Sequence, residues 1–263
     1  MAKADADTAA NKNAEASKNR VIDFQDIKIS YMPQAPVVSG VTLQVNAGEC
    51  FGLAGLNGAG KTTLIKVMLG LRDADEGHAS VFGGDFKAPQ ICRRVAYLPE
   101  RFEPPWFLSG LEFIKFSLKL YSRPWDQTYI FAQAQQLGLM PEVLKRRTHT
   151  YSKGMRQKLG LLATMTTGCD LLVLDEPMSG LDPLARVQVK NLITRLNKQG
   201  VTVFFSSHIL SDMQEICSRM AVLDGGRIRV TGTPDSLIKT AGADNLESAF
   251  LHYVGEVEKD KAA

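Results

Sequence analysis

The chain carries one stretch that limits its possible folds more than any other, the sequence GLNGAGKT from Gly55 to Thr62. It matches the spacing Gly-x-x-x-x-Gly-Lys-Ser/Thr and lies between a short apolar run over 50–54 and an amphipathic run that begins at Leu64. Glycines let a backbone curl until several N–H groups point at one anion, and the start of a following helix adds partial positive charge. We therefore predict a phosphate-binding loop, in which Lys61 reaches the β- and γ-phosphates of a nucleotide and the Thr62 hydroxyl ligates Mg²⁺. The residues expected to surround the phosphates are Gly55, Asn57, Gly58, Ala59, Gly60, Lys61, Thr62 and Thr63.

Composition excludes several other kinds of protein. The 263 residues allow one large domain or two small ones, and the content of 44% hydrophobic and 22% charged residues is ordinary for a globular chain. The net charge of +3 gives no polybasic signature, so we do not expect a nucleic-acid partner. The four cysteines have no Cys-x-x-Cys spacing, which argues against a zinc or redox motif.

The N-terminal region and the hydropathy of the chain bear on location. Residues 1–20 are rich in Ala, Asn, Lys and Asp and are expected to form a disordered leader. The sequence has neither a secretory signal nor an apolar run near the ~20 residues that span a bilayer. We therefore expect a cytosolic protein, and for work at a membrane another chain would have to supply the spans.

Hydrophobic patterns predict strands first and then alternating strands and helices. Ile22, Phe24, Ile27 and Ile29 alternate with polar residues, as in a half-buried strand. Short buried strands are expected over 50–54, 171–174 and 201–205, and a hairpin turn over 224–226. This order predicts a parallel sheet with an antiparallel β addition.

Three amphipathic helices are predicted from the spacing of apolar residues and from capping signals. Ser109 and Glu112 make a capping-box pattern, and Asp182 before Pro183 is a typical helix start. The helix after the phosphate loop is expected to bury Leu64, Met68 and Leu71. The helix after Ser109 is expected to bury Phe113, Phe116 and Leu120.

Two adjacent acids, Asp175 and Glu176, end the apolar run over 171–174. Ligands of α/β sheets bind at the carboxyl ends of the strands, so these carboxylates should lie near the phosphate loop. Two acids beside a phosphate would repel it unless a cation lies between them, which implies Mg²⁺. We expect Asp175 to hold Mg²⁺, through water, and Glu176 to polarise the attacking water.

Further motifs narrow the family. Tyr151-Ser152-Lys153-Gly154-Met155 stands upstream of the Asp175 strand, where ATP-binding cassette (ABC) ATPases have their LSGGQ signature, and the chain resembles that family from about residue 21 to 232. Ser179-Gly180-Leu181-Asp182 resembles the D-loop, and His208 the switch histidine. The resemblance implies an α/β fold within residues 21–240. Its P-loop NTPase core would have a parallel sheet, an antiparallel β-subdomain and an inserted α-helical subdomain over about 100–168. A short helical tail would follow over 241–263.

The resemblance also implies roles for these residues. Ser152 and Gly154 would form a second anion site, which closes over the γ-phosphate held by a second copy of the chain or a homologous ATPase subunit. Asp182 would link the two sites of that dimer, and His208 would contact the γ-phosphate. Tyr31 would stack on the adenine of ATP. By position alone, His208 and Tyr31 could also be ordinary structural residues.

The sequence departs from the family pattern at three positions. The signature has Lys153 in place of its first glycine and Met155 in place of glutamine, while Ser152 and Gly154 are kept. The Q-loop glutamine is Glu100, which keeps an oxygen ligand for Mg²⁺ and adds a negative charge. These changes resemble the branch of the family that serves drug, sodium and haem-related exporters.

The segment after Glu100 is expected to contact the membrane partner. The run RFEPPWFL over 101–108 places three aromatic residues among prolines. In the family this region receives a cytosolic helix of the permease, so we expect separate transmembrane subunits to dock near residues 100–120. The alternative is that Trp106 and Phe107 fill the core of the helical subdomain.

Together these features predict the ATP-hydrolysing subunit of an ABC exporter, at the cytoplasmic face of a bacterial inner membrane. One alternative is a soluble ABC ATPase with a non-transport role, such as iron–sulfur cluster assembly. A second alternative is a regulatory module that binds nucleotide and barely hydrolyses it, which the presence of Glu176 and His208 disfavours. The sequence does not identify a cargo.

Overall fold

The computed structural model describes residues 19–32 and 35–260, with side chains as far as residue 254. Except for Asn19 and Arg20, the predicted leader lies outside the described residues. The strands are β1 (Arg20–Met32), β2 (Ala35–Asn46), β3 (Cys50–Ala54), β4 (Glu76–Val81), β5 (Val95–Leu98), β6 (Leu171–Asp175), β7 (Thr202–Ser207), β8 (Arg219–Asp224) and β9 (Arg227–Gly232). The helices are α1 (Lys61–Met68), α2 (Pro89–Cys92), α3 (Gly110–Leu120), α4 (Gln127–Gln136), α5 (Pro141–Leu144), α6 (Lys153–Met165), α7 (Pro183–Lys198), α8 (Leu210–Ile216), α9 (Pro234–Ala241) and α10 (Leu246–Asp260).

The first sheet is antiparallel, with the strand order β2-β1-β4. Its predicted apolar residues on β1, from Ile22 to Ile29, are fully buried. Their spacing changes between Phe24 and Ile27 because the pairing with β2 shifts there and Asp26 takes a φ of +50°. The bulge keeps both halves of the strand facing the core.

The second sheet holds the predicted parallel core. Its strand order is β5-β6-β7-β3-β8-β9, in which β9 alone of these six runs antiparallel, after the predicted turn over 224–226. The central strands β3, β6 and β7 are buried along their whole length, as their apolar sequences predict. Leu53 of β3 and Asp175 of β6 both pair with Ser206 of β7, so the three strands end at the same edge.

Two of the predicted helix faces are wrong in part. Helix α1 ends at Met68, Gly70 takes a left-handed φ of +60°, and Leu71 is exposed beyond the helix. The predicted capping box of α3 is confirmed, but the helix buries Gly110, Ile114 and Leu118. Phe113 is half-buried, whereas Phe116 and Leu120 are exposed. The buried stripe therefore runs at i, i+4 and i+8 from the first helical residue.

The segment between β5 and β6 is helical, and so is the end of the described chain. Helices α3 to α6 follow β5, and α3 packs on α6. Near the C-terminus, α10 packs on α9, and the Tyr253 hydroxyl donates to the Leu237 carbonyl at 2.9 Å. Across the part of the chain that the structure describes, no helix combines the length and the apolar character needed to cross a membrane.

Candidate active site

The phosphate loop lies between β3 and α1, as its sequence predicts. Gly58 and Gly60 take left-handed φ values of +84° and +107°, which L side chains rarely adopt, and Gly60 begins the helix. A Cβ at Gly55 would lie 2.6 Å from the Leu223 carbonyl oxygen. The loop borders a cavity of about 450 Å³. The residues that line it are Val37, Leu56, Asn57, Gly58, Gly60, Lys61, Thr62, Thr63, Glu100, Arg101 and Glu176.

Lys61 is curled inside this loop. Its ammonium donates to the Gly55 carbonyl oxygen at 2.8 Å and lies 3.2 Å from Oε1 of Glu176. Both side chains are 7% exposed, so solvent screens this ion pair little. The lysine is thus held in the cavity by the loop backbone and by Glu176, the residue that follows β6.

Thr62 and Asp175 form the part of the site that suits a divalent cation. The Thr62 hydroxyl donates to Oδ2 of Asp175 at 2.8 Å, and Glu100 lines the same cavity. Mg²⁺ prefers oxygen ligands and usually takes one or two carboxylates, with waters and substrate phosphates completing its shell. The described residues contain no group of three or more His, Cys, Asp or Glu side chains that could hold a metal by itself. Thr62, Asp175 and Glu100 therefore suit a cation that binds together with the phosphates of a nucleotide.

Tyr97 lies near the two acids of this region. Burial, with added contributions from Asp175 and Glu100, raises the pKa of Tyr97 to about 12. The phenol therefore stays neutral at physiological pH and leaves the negative charge of the site to the carboxylates.

Glu176 connects Lys61 to His208. Its Oε2 lies 2.9 Å from Nδ1 of His208, and because a carboxylate can only accept, that nitrogen carries the proton. Its Oε1 is buried without a well-aligned hydrogen-bond donor and faces the Lys61 ammonium. The residue takes a φ of +48°, an uncommon backbone conformation for glutamate. A buried acceptor with spare capacity beside a phosphate loop is what a water-activating base requires.

The predicted second anion site lies apart from this cavity. Ser152 caps α6, and its hydroxyl accepts the Met155 N–H at 3.2 Å. A Cβ at Gly154 would meet ordinary van der Waals distances of 3.9 Å or more, so the backbone there is open to approach. Lys153 lines a neighbouring cavity of about 440 Å³ that shares Glu100 and Arg101 with the first. The arrangement leaves the start of α6 free to contact another molecule.

Neither Tyr31 nor Asp182 lines the cavity in which Lys61 and Glu176 meet. The exposed Tyr31 has its hydroxyl 3.3 Å from the Thr63 hydroxyl, and the guanidinium of Arg72 lies 4.1 Å from its ring centroid. It therefore stands at the rim of the cavity, with Arg72 over its ring. Asp182 caps α7 by accepting the Ala185 N–H at 2.8 Å.

One buried residue of the site was not predicted. Ser206 lies near the carboxyl end of β7 and bonds to Asp175, the last residue of β6, and to Glu176, which follows it. The signal in the sequence is a serine directly after the apolar run that ends at Phe205, since a buried hydroxyl needs a partner. Its partners depend on strand register, which the sequence pattern does not give.

Comparisons with known proteins point to one family. A family model described as ABC transporter matches residues 38–179. An uncharacterized ABC transporter ATP-binding protein of Synechocystis is 41% identical over 78% of this chain and 58% of its own length. A Nod factor export ATP-binding protein I of Rhizobium etli is 31% identical over 87% of this chain and 73% of its own length. A methionine import ATP-binding protein of Caulobacter vibrioides is 32% identical over 92% of this chain and 75% of its own length.

The chain spans 58% and 61% of the length of two cyanobacterial relatives that it matches. Among solved structures, an ATP binding subunit of an ABC transporter has a TM-score of 0.80 and 27% identity, covering 89% of this chain and 99% of that one. A dimeric bacterial ABC transporter cassette has a TM-score of 0.73 and 18% identity over 81% of this chain and 98% of that one, which shows a common fold.

Proposed function

The chain belongs to the family of ABC transporter ATP-binding proteins, and we propose that it is the ATP-binding and ATP-hydrolysing subunit of an exporter. The observation that carries the proposal is the chain of contacts at the phosphate loop from Lys61 through Glu176, both buried, to the exposed His208. Beside it, the Thr62 hydroxyl meets the Asp175 carboxylate. These groups supply an anion-binding loop, a base and a cation site within one cavity.

ATP is bound by the loop and by its rim. The N–H groups of residues 55–63 and the Lys61 ammonium would bind the phosphates, and Tyr31, whose hydroxyl lies 3.3 Å from that of Thr63, would stack on the adenine ring. Thr62 and Asp175 would hold Mg²⁺ with Glu100 as a further oxygen ligand, and the metal would neutralise charge on the phosphates. Lys61 has to exchange its contact with Glu176 for the phosphates.

That exchange frees the base. With Lys61 on the phosphates, Oε1 of Glu176 can accept a proton from water as the water oxygen bonds to the γ-phosphorus. The bond from that phosphorus to the oxygen of ADP breaks, and the products are ADP and phosphate. His208 donates from Nδ1 to Glu176 and so orients the carboxylate, and its Nε2, when that nitrogen also carries a proton, would donate to a γ-phosphate oxygen.

A second subunit completes the site. Ser152 and Gly154 lie at the start of α6, outside the cavity that Lys61 occupies. We infer that this helix start covers the γ-phosphate bound by another copy of the chain or by a homologous ATPase subunit. Asp182, at the start of α7, would lie between the two nucleotides of such a dimer.

The membrane contact is proposed at residues 100–120. Large apolar side chains are exposed there: Trp106 by 71%, Phe107 by 55%, Phe116 by 51% and Leu120 by 63%. Arg147 donates to the Phe107 carbonyl oxygen at 2.5 Å, which fixes the loop while its rings remain in solvent. Exposed apolar groups held in place mark an interaction surface rather than a core. We assign them to separate transmembrane subunits at the cytoplasmic face of a bacterial inner membrane.

This surface favours a transporter over a soluble ABC ATPase such as one that assembles iron–sulfur clusters. Export is favoured by the departures at Lys153, Met155 and Glu100. The relatives include both a Nod factor export protein and a methionine import protein, so the proposal of export rests on those three positions.

The test uses three variants of the tagged chain, each with Mg²⁺ and ATP. Lys61→Ala should abolish ATP hydrolysis, and Glu176→Gln should slow it by roughly 10²- to 10⁴-fold while nucleotide stays bound. The double variant Trp106→Ser and Phe107→Ser should keep the turnover of the isolated wild-type chain. From solubilised membranes, Glu176→Gln should recover a multi-spanning chain in stoichiometric amount, and adding the double substitution should remove it.

Two results would contradict the proposal. Hydrolysis by Lys61→Ala at the wild-type rate would show that the phosphate loop is not the active site. Recovery of soluble proteins alone, unaffected by the Trp106 and Phe107 substitutions, would instead support the non-transport ATPase.

A further inference from the structure

Ser206 has a buried hydroxyl near the carboxyl end of β7, the strand between β6 and β3 in the parallel sheet. Every residue of β7 is buried, and the Ser206 side chain is 0% exposed. The register places it directly beside Asp175 on β6 and Leu53 on β3. It does not line the nucleotide cavity, whose lining residues come from the phosphate loop, the Glu100 segment, Val37 and Glu176.

The Ser206 hydroxyl bonds to both neighbouring acids at once. It donates to Oδ1 of Asp175 at 2.5 Å and accepts the Glu176 N–H at 3.0 Å. A hydroxyl has one proton and two lone pairs, and a carboxylate can only accept, so the direction of both bonds is fixed. Ser207, the next residue, differs because its hydroxyl accepts the N–H of Ile209 in its own loop.

For Asp175, the consequence is a fixed carboxylate. Oδ2 receives the Thr62 hydroxyl at 2.8 Å and Oδ1 receives Ser206, so donors from two different elements hold both oxygens. For Glu176, the bond to Ser206 holds the backbone N–H of a residue whose φ of +48° is uncommon for glutamate. Loss of the hydroxyl would leave this N–H buried without its partner and free the backbone to relax.

We propose that Ser206 is a positioning residue that orients the metal-binding acid and the water-activating acid together. The inference rests on the proposed roles of Asp175 and Glu176. Ser206 lies outside the lining of the nucleotide cavity, and it acts through the Asp175 carboxylate and the Glu176 backbone. Its removal should therefore change turnover and metal affinity while leaving the phosphate loop, and hence the KM for ATP, nearly unchanged.

The experiment compares Ser206→Ala, Ser206→Cys and Ser206→Thr with a matched control, Thr202→Val. Thr202 is a buried residue at the other end of β7, and its hydroxyl accepts the Gly48 N–H at 3.0 Å. Its substitution removes a partly buried hydrogen bond at the end of the same strand that lies away from the cavity. Ser206→Ala and Ser206→Cys should each lower kcat by about 10- to 100-fold, which is the usual effect of removing a partner of a metal ligand. KM for ATP should change by less than about threefold, and Ser206→Thr, which keeps the hydroxyl, should recover most of kcat.

A second measurement does not need turnover. Binding of Mn²⁺ in the presence of a non-hydrolysable ATP analogue, followed by electron paramagnetic resonance, should weaken about tenfold in Ser206→Ala. Thr202→Val should lower Tm as Ser206→Ala does, yet keep wild-type kcat and Mn²⁺ affinity. If the wild-type chain binds the analogue but hydrolyses no ATP, the proposed function fails while the Mn²⁺ shift still decides the role of Ser206.

Two results would overturn the role of Ser206. One is a folded Ser206→Ala chain with Mn²⁺ affinity within twofold of wild type. The other is a Thr202→Val chain that loses as much kcat or Mn²⁺ affinity at the same Tm, because the effect would then be general destabilisation.

Discussion

Replacing Glu176 with glutamine is expected to tighten ATP binding as well as to slow hydrolysis. The Lys61 ammonium lies 3.2 Å from Glu176 and 2.8 Å from the Gly55 carbonyl oxygen. The phosphates of ATP compete with Glu176 for this ammonium, so binding has to weaken the ion pair. Glutamine keeps the shape of the side chain and removes the charge, while the backbone carbonyl still holds the lysine.

The size of the effect follows from the burial of the pair. Both side chains are 7% exposed, so the contact is screened little by solvent. Close charge pairs that solvent screens little couple by about 1.5–7 kcal/mol, and because Oε1 of Glu176 has no well-aligned donor we expect this pair at the low end, about 1.5–3 kcal/mol. Since about 1.4 kcal/mol is a factor of ten in Kd, the Kd for ATP should fall by roughly 10- to 150-fold.

The assay is calorimetric titration of ATP into the chain without Mg²⁺, with sedimentation to confirm that it stays monomeric. Glu100→Gln is the matched control, because Glu100 lines the same cavity but is exposed to solvent. Removing its charge reports the general repulsion between a carboxylate and the phosphates, which at an exposed position is worth less than about 1 kcal/mol. The extra tightening of ATP binding in Glu176→Gln, relative to Glu100→Gln, measures how strongly Glu176 competes with the phosphates for Lys61.

Equal tightening in the two variants would refute the reasoning, since the gain would then be general electrostatics. An unchanged Kd in Glu176→Gln would refute it as well. In that case Lys61 would bind the phosphates without leaving its acid, and the base would not be freed by the arrival of ATP.

Three further predictions concern stability and can be read from Tm. Gly77 and Gly200 have nearly equal φ values of +91° and +93°, but a Cβ at Gly77 would lie 2.3 Å from a backbone oxygen of β1 and one at Gly200 would meet nothing within 4 Å. Gly77→Ala should therefore lower the free energy of unfolding by about 1–3 kcal/mol more than Gly200→Ala does, which corresponds to a Tm difference of about 2–12 °C. Leu118→Ala should lower the free energy of unfolding by about 2–5 kcal/mol, and Leu120→Ala should lower it by less than about 0.5 kcal/mol. Equal losses in the two variants would contradict the burial of Leu118 and the exposure of Leu120. The backbone N–H of Ser109 at the start of α3 holds the pKa of Glu112 below its ordinary value, so this contact stabilises the helix at neutral pH and its contribution is lost as the pH falls through the lowered pKa. Tm should fall less between about pH 7 and pH 3 in Glu112→Gln than in the wild type, and an equal fall would show that the ionised Glu112 does not contribute to stability.

The parts of the site that the sequence predicts are those fixed by local spacing. The phosphate loop needs glycines at set positions between a strand and a helix, and Gly58 and Gly60 take the left-handed φ values that this turn requires. Asp175 and Glu176 end a buried strand, and parallel strands end at one edge of a sheet. Short-range chemistry and one topological rule were enough to bring these groups together.

The contacts between those groups depend on longer-range geometry. Ser206 meets Asp175 because β6 and β7 pair in one particular register, and a shift of one residue would turn the hydroxyl away. The contact of Lys61 with Glu176 likewise depends on how the loop closes over β6. Sequence patterns can identify such residues as candidates for the site, but they do not give the hydrogen bonds and ion pairs between them.

The error on α3 has a different cause, and it points to function. The helix carries two sets of apolar residues, one with Ile114 and Leu118 facing the core and one with Phe116 and Leu120 facing solvent. A pattern search cannot tell which set is buried, because an ordinary surface helix has one apolar face. Two such faces on one short helix are unfavourable in water unless the second is covered during function. The first set packs against the core of this chain, and the second is the set that the subunit proposed to dock beside Trp106 would cover.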